Sequence, residues 1–361
     1  MSSERIKTFQ AAPNRATLAI DLALQGGGAH GAFTWGVLER LVEEPWLQID
    51  SITATSAGAM NAVAFVHGYL RDGPDGAKAS LENFWRRVSE AARYSPIQRT
   101  PFDRLTGNWS LDNSPAYVFY DLFSRLFSPY QVNPTNVDPL RKILEDHIDF
   151  GPLAQAPIKM FVNATNVRTG LPRVFRNAEI TVDAVLASAC LPLVHQAIEI
   201  DGDPYWDGGF SGNPLLTPVI RESEARDMLL VQINPVERPG APKTARDILN
   251  RINEISFNSS LKKELRGIAM LQRLLADEGD SAHVPSWAEQ WADVRMHRIT
   301  SQKMVELGVS SKLNAEWEFL CMLRDDGRRS MEAFLTAHGD DLGVRSSLDL
   351  SGLLDTLLEQ T

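Results

Sequence analysis

Apolar positions are grouped before they alternate. Thr17–Leu24 (TLAIDLAL) is a short apolar run that stops at glycines, the pattern of a strand buried on both faces followed by a tight turn. Ala32–Val42 then places Phe33, Val37, Leu38 and Leu41 at helical spacing. A second strand over Ser51–Thr55 runs into SAGAMNAVAFVHGYL, where Met60, Val63, Ala64 and Val66 suit a buried helix. The order strand, turn, helix, strand, turn, helix predicts an α/β fold with a mostly parallel central sheet flanked by helices.

Further strands are expected at Lys159–Val167, around Arg173–Phe175, at Val194–Ile200 and at Met228–Asn234, so the sheet extends to about residue 235. Between its halves, residues 95–130 hold Phe102, Trp109, Tyr117, Phe119, Tyr120, Phe123, Phe127 and Tyr130 among turn formers. Such an insertion lines a pocket, forms a lid over an apolar ligand, or makes a satellite core that anchors the excursion; the pattern leaves these open. VERPGAPKTA marks a junction, followed by a long helical pattern over Arg246–Ala276, a strand over Val294–Ile299 and a helix over Asn314–Ala337. The expected organisation is a polar tail (1–16), a catalytic unit (17–237) and a mainly helical C-terminal region (238–361). That region packs on the sheet or self-associates into a homo-oligomer, and the pattern does not choose between these.

With 361 residues, 43% of them apolar, the chain has an ample core; its formal charge of −10 argues against a duplex nucleic-acid partner. The opening residues MSSERIKTFQAAPNRA lack the apolar stretch of a signal peptide, and no run approaches the roughly 18 apolar residues of a membrane span. A cytoplasmic protein is expected. Cys190 and Cys321 lack metal-site or disulfide spacing and read as buried small apolar residues.

Gly26, Gly28 and Gly31 fit G-x-G-x-x-G, a dinucleotide turn by spacing alone. That reading requires an acidic residue at the end of the second strand to hold a ribose hydroxyl. Asp50 precedes the strand, and the strand ends in Ala54-Thr55-Ser56-Ala57-Gly58, so a serine stands where the carboxylate is needed. On a sharp strand-to-helix turn, with small residues two before and two after it, Ser56 has the setting of a nucleophile; capping the following helix is its ordinary alternative. The N–H groups of Gly27, Gly28 and Ala29 then suit a transient oxyanion as well as they suit a phosphate. For the base, Asp207 in Asp207-Gly208-Gly209 competes with the histidines, of which His195 would make a triad and is more ordinarily a satisfied strand residue.

Taken in order, GGGAHG, ATSAG and DGG, with ASACLP ahead of the aspartate, resemble the patatin-like phospholipase family over roughly residues 17 to 235. The resemblance implies a three-layer α/β fold and a serine acyl hydrolase of the lipase or phospholipase A type. Ser56 would be its nucleophile, Asp207 its general base and acid, and Gly27, Gly28 and Ala29 its oxyanion hole, supported by Gly26, His30, Gly31, Ala54, Gly58, Gly208 and Gly209. The substrate it implies is a lipid or other acyl ester, and any membrane contact would be peripheral, at the inner surface; nothing in the chain specifies a cofactor or metal, since the aspartates of Glu199–Asp207 lack the full calcium-loop pattern. Two departures stand out. The family motif commonly ends in Arg-Gly, so with His30 a cation at this place depends on protonation unless His30 is only a surface residue at the helix start; and Ala54 puts a methyl group where the elbow usually has glycine. The alternatives are an esterase or thioesterase on non-phospholipid acyl groups, a catalytically weak lipid-binding or scaffold relative, and a nucleotide-binding protein.

Overall fold

A computed structural model describes residues 9, 15–124, 126–278 and 285–358; of the tail expected at 1–16, residues 1–8 and 10–14 lie outside the described residues. One sheet holds eight strands: β1 (Leu18–Leu24), β2 (Leu47–Ala54), β3 (Lys159–Asn166), β4 (Pro172–Arg176), β5 (Ile198–Ile200), β6 (Asp203–Asp207), β7 (Asp227–Val231) and β8 (Arg295–Ile299). β1 lies between β2 and β7, with β3 beyond β2 and β8 beyond β7, all parallel. β4 and β6 run antiparallel to β3, and β5 antiparallel to β6. The α/β architecture of mostly parallel strands flanked by helices is as the apolar runs predict, since Ile20, Leu22, Ala23 and Leu24 of the central β1 are buried on both faces.

Helices cover both faces. On one, α1 (Gly31–Leu41) is buried along its whole length between the sheet and the helix Trp317–His338. A Cβ on Gly36 would stand 1.8 Å from the Arg324 carbonyl oxygen, and one on Gly327 would stand 2.0 Å from that of Phe33. Glycine at both places lets the two backbones touch. Burying Phe33, Trp35 and Phe319 there contributes about 1.5–3 kcal/mol for each side chain. The opposite face carries Leu261, Leu265 and Ile268 of the helix Ala245–Glu278 against Met228, Leu230 and Met296. The segment after residue 238 therefore packs on both faces of the sheet and adds β8 to it.

α2 (Ala57–Ala92) is two helices that meet at Asp72 and Gly73, where Gly73 has φ 53° and Pro74 opens the second half. Three differences from the sequence pattern have local causes. The strand expected from Val194 begins only at Ile198, because Val194 and His195 donate to the Leu191 carbonyl in a turn. The acidic stretch Glu199–Asp207 is the β5–β6 hairpin, whose turn residues Asp201 and Gly202 have φ 54° and 81°. Residues 95–130 contain the helices Pro101–Thr106 and Pro115–Phe123 and the start of Pro129–Val132, which divide the aromatics. Trp109 and Tyr117 turn inward, whereas Phe102 (67% exposed) and Phe119 (66%) face out. No helix among the described residues is long and apolar enough to cross a membrane.

Candidate active site

β4 pairs with Phe161–Thr165 of β3, overlapping both the stretch that pairs with β2 (Lys159–Val162) and the stretch that pairs with β6 (Ala164–Asn166). A strand has two edges, so β4 takes one, and β2 and β6 share the other. They approach it from opposite ends: Ala54 lies beside Val162 and Asp207 beside Ala164. The carboxyl ends of the two strands thus converge, bringing Ser56 and Asp207 together from distant parts of the chain.

Ser56 is the turn between β2 and α2, with φ 55° and ψ −122°. For a residue with a Cβ this conformation costs about 1–3 kcal/mol and persists only where its surroundings fix it. Its N–H donates to Ser188 Oγ at 2.8 Å and its carbonyl accepts from Met60 N at 3.1 Å. Gly58 lets α2 start hard against β1, since a Cβ there would lie 2.3 Å from the Leu24 carbonyl oxygen. Ala54 is fully buried in the core, so the elbow accommodates its methyl group.

Ser56 lies close enough to Asp207 for its hydroxyl to lower the pKa of that carboxylate, which accepts from Gly209 N at 2.7 Å. Asp207 is 2% exposed. Burial raises its pKa from 3.8 to about 7, against the opposing effects of the Gly209 N–H, the Ser56 hydroxyl and the charge of Lys312. Behind the pair, Asn163 Nδ2 donates to the carbonyls of Gly208 (3.0 Å) and Gly212 (2.9 Å), and Thr165 Oγ1 donates to that of Asp207 (2.8 Å).

The glycine turn lies beside the serine: a Cβ on Gly26 would stand 2.6 Å from Ser56 Cβ, and one on Gly31 would stand 2.9 Å from Ala57 Cβ. Gly26 N is taken by Asn213 Oδ1 at 2.6 Å, while its carbonyl accepts from Asn234 Nδ2 at 2.6 Å. Gln25 Oε1 accepts from the N–H groups of Ile233 and Asn234, both at 3.0 Å, and ties the turn to the end of β7. No hydrogen bond among the described residues uses the N–H of Gly27, Gly28 or Ala29. Gly28 has φ 58°, a conformation that favours glycine.

His30 is no surface residue: it is 2% exposed, and burial, with the charges of Lys312 and Arg238 behind it, holds its pKa well below 6.5. Ser311 Oγ spends its proton on the Gly308 carbonyl (2.6 Å), so His30 Nε2 donates to Ser311 Oγ (2.8 Å) and Nδ1 stays bare and unpartnered. A cation at His30 is therefore not provided at neutral pH. His195 stands in the turn after Cys190, 4.0 Å from Asp138, whereas the acidic side chain beside Ser56 is Asp207. Cys190 is buried as expected; Cys321 is only partly so.

Sequence reasoning missed Ser188, Asn163, Asn213, Asn234 and Lys312. Ser188 sits inside ASACLP, a stretch noticed as a motif without a role; the asparagines are ordinary residues until the strands bring their amides to the two turns.

A family model described as patatin-like phospholipase matches residues 22–220, more than half of the chain. A comparison with curated proteins gives no match. Among solved structures, VipD from Legionella pneumophila aligns at 14% identity with a TM-score of 0.40, over 90% of this chain and 67% of that one. The ExoU–SpcU complex from the type III secretion system of Pseudomonas aeruginosa aligns at 14% identity with a TM-score of 0.27, over 93% of this chain and 65% of that one.

Proposed function

We propose, from the premise that the chain belongs to the patatin-like phospholipase family and is a lipid ester hydrolase, that it works through a dyad of Ser56 and Asp207 with an oxyanion hole at Gly27, Gly28 and Ala29. One observation carries this reading: β2 and β6 meet end to end on one edge of β3, Ala54 beside Val162 and Asp207 beside Ala164, which sets the Ser56 turn against a buried carboxylate whose pKa is raised to about 7. An ordinary carboxylate is too weak a base for an alcohol. Raised to near neutrality, Asp207 is still ionised for much of the population at pH 7 and holds a transferred proton far better.

In this mechanism Ser56 Oγ attacks the acyl carbonyl as its proton passes to Asp207. The carbonyl oxygen gains a negative charge, met by the free N–H groups of Gly27, Gly28 and Ala29 at the start of α1. Asp207 returns the proton to the departing alcohol, leaving an ester on Ser56; it then takes a proton from water as the water attacks that ester, and passes it to Ser56 Oγ as the acyl–Oγ bond breaks, which frees the acid and restores both groups. We assign the segment 17–237 as the catalytic unit. Phe119 (66% exposed), Leu122 (60%) and Leu126 (69%) form its peripheral membrane contact, since apolar side chains held in water gain by entering a lipid surface.

The test is an acyl-ester panel of phospholipid, lysophospholipid and soluble ester, run on wild type, Ser56→Ala, Asp207→Ala and His195→Gln, with labelling by an activated fluorophosphonate. Turnover and labelling are expected in wild type and His195→Gln, and no turnover in the other two. Substantial hydrolysis by Ser56→Ala or Asp207→Ala removes the dyad, and loss of activity in folded His195→Gln restores the triad.

A further inference from the structure

An oxyanion at the glycine turn carries a unit of charge, which free N–H groups stabilise and a nearby cation stabilises further. His30, inside the turn, is uncharged. We propose that Lys312, from the C-terminal region, supplies the positive charge of the oxyanion site and acts through Asn234 and the glycine turn as a positioning residue. This inference rests on the Ser56–Asp207 reading above.

The backbone of Lys312 is seated on the turn itself, for a Cβ on Gly28 would lie 2.5 Å from the Lys312 carbonyl oxygen. The short 3-10 turn Val309–Leu313 is fixed there by Ser311 on His30 (2.8 Å), by Ser310 Oγ accepting from Leu111 N (3.1 Å), and by the adjoining Asn314 donating to the Trp109 carbonyl (3.0 Å). From this seat Lys312 Nζ donates to Asn234 Oδ1 at 2.7 Å. Asn234 Nδ2 in turn holds the Gly26 carbonyl at 2.6 Å, and Asn234 Oδ1 lies 3.7 Å from the place of a Cβ on Gly27. The ammonium is therefore anchored on the amide that fixes the turn.

Its charge is not spent elsewhere. Glu254, the acidic side chain from the neighbouring helix Ala245–Glu278, is bound by Arg238 (2.7 Å) and Arg251 (3.2 Å). No ion pair within 4.0 Å involves Lys312 among the described residues. Burial lowers the Lys312 pKa to about 8; Glu254 and Asp207 support its charge, and Arg238 opposes it. Neutral His30 adds none. Lys312 is thus mostly protonated at pH 7 and loses its charge just above pH 8, where an arginine would keep it.

The experiment follows soluble-ester kcat and KM, and the rate of fluorophosphonate labelling of Ser56, from about pH 6 to 9.5 in wild type, Lys312→Arg and Lys312→Met. Wild type should lose kcat on the acid side near 7, with Asp207, and on the basic side near 8. Lys312→Arg should keep the rate at pH 7 within about threefold and lose the basic limb. Lys312→Met should lower kcat by about 10–100-fold at little change in KM and move the acid limb to higher pH, since Asp207 loses a supporting charge. A basic limb unchanged in Lys312→Arg, a folded Lys312→Arg as slow as Lys312→Met, or a wild-type kcat in Lys312→Met overturns the inference. If neither variant folds, the wild-type profile decides, and absence of its basic limb overturns it. Wild type that labels at Ser56 and hydrolyses ester while failing these criteria leaves the dyad standing without Lys312; wild type that does neither removes both.

Discussion

The substitution Asp207→Asn should abolish turnover and, at the same time, stabilise the fold. The carboxylate is buried and its native pKa is raised from 3.8 to about 7, so the folded state binds a proton that the unfolded state gives up. Stability therefore falls as pH rises from about 4 through about 7, and the full penalty is present above that. Roughly three pKa units at about 1.4 kcal/mol each put it at up to about 4 kcal/mol. An amide in place of the carboxylate would carry no charge, and its oxygen could still accept from Gly209 N, now 2.7 Å from Asp207 Oδ1. For a chain of this length, about 4 kcal/mol is on the order of 5 °C in Tm. Scanning calorimetry of both proteins from pH 5 to 9 should give curves that separate with rising pH and run parallel above about pH 8, with hydrolysis down by about a thousandfold or more. Equal Tm at every pH, or a wild type more stable than the variant at pH 8, would refute the claim that burial without a full counter-charge sets the state of Asp207.

Gly58→Ala would place a methyl carbon 2.3 Å from the Leu24 carbonyl oxygen; it should cost at least about 2–3 kcal/mol in denaturant unfolding and abolish labelling of Ser56. The triple variant Phe119→Ser, Leu122→Ser and Leu126→Ser should lower co-sedimentation with phosphatidylcholine vesicles about tenfold while soluble-ester turnover stays at the wild-type level; unchanged sedimentation would discard that face as the membrane contact. A chain ended after residue 237 should be recovered insoluble, because it would lose β8 and the helix Trp317–His338 that covers α1. A soluble, cooperatively folding product would show that the sheet closes its own core.

The apolar runs of β1 and β2, each ending in small residues, determined by themselves the parallel strands, the two sharp turns and the serine at the second of them. These are local matters: a strand buried on both faces is mostly apolar, with its few polar side chains paired as Asp21 is with Ser51, and a tight turn must be made of residues that fit it. DGG was legible as a turn that presents a carboxylate, but not as the partner of Ser56. That pairing was decided when β6, a strand the apolar pattern does not announce, took the same edge of β3 as β2 and met it end to end. The state of His30 was likewise invisible, because a histidine is charged or neutral according to the burial around it. Lys312 reads as one surface lysine among many until the C-terminal segment folds back onto Gly28. The sequence by itself determined which groups the chain presents at its turns; the tertiary structure alone decided which of them meet and which carry charge, because pKa and proximity depend on neighbours far away in the chain.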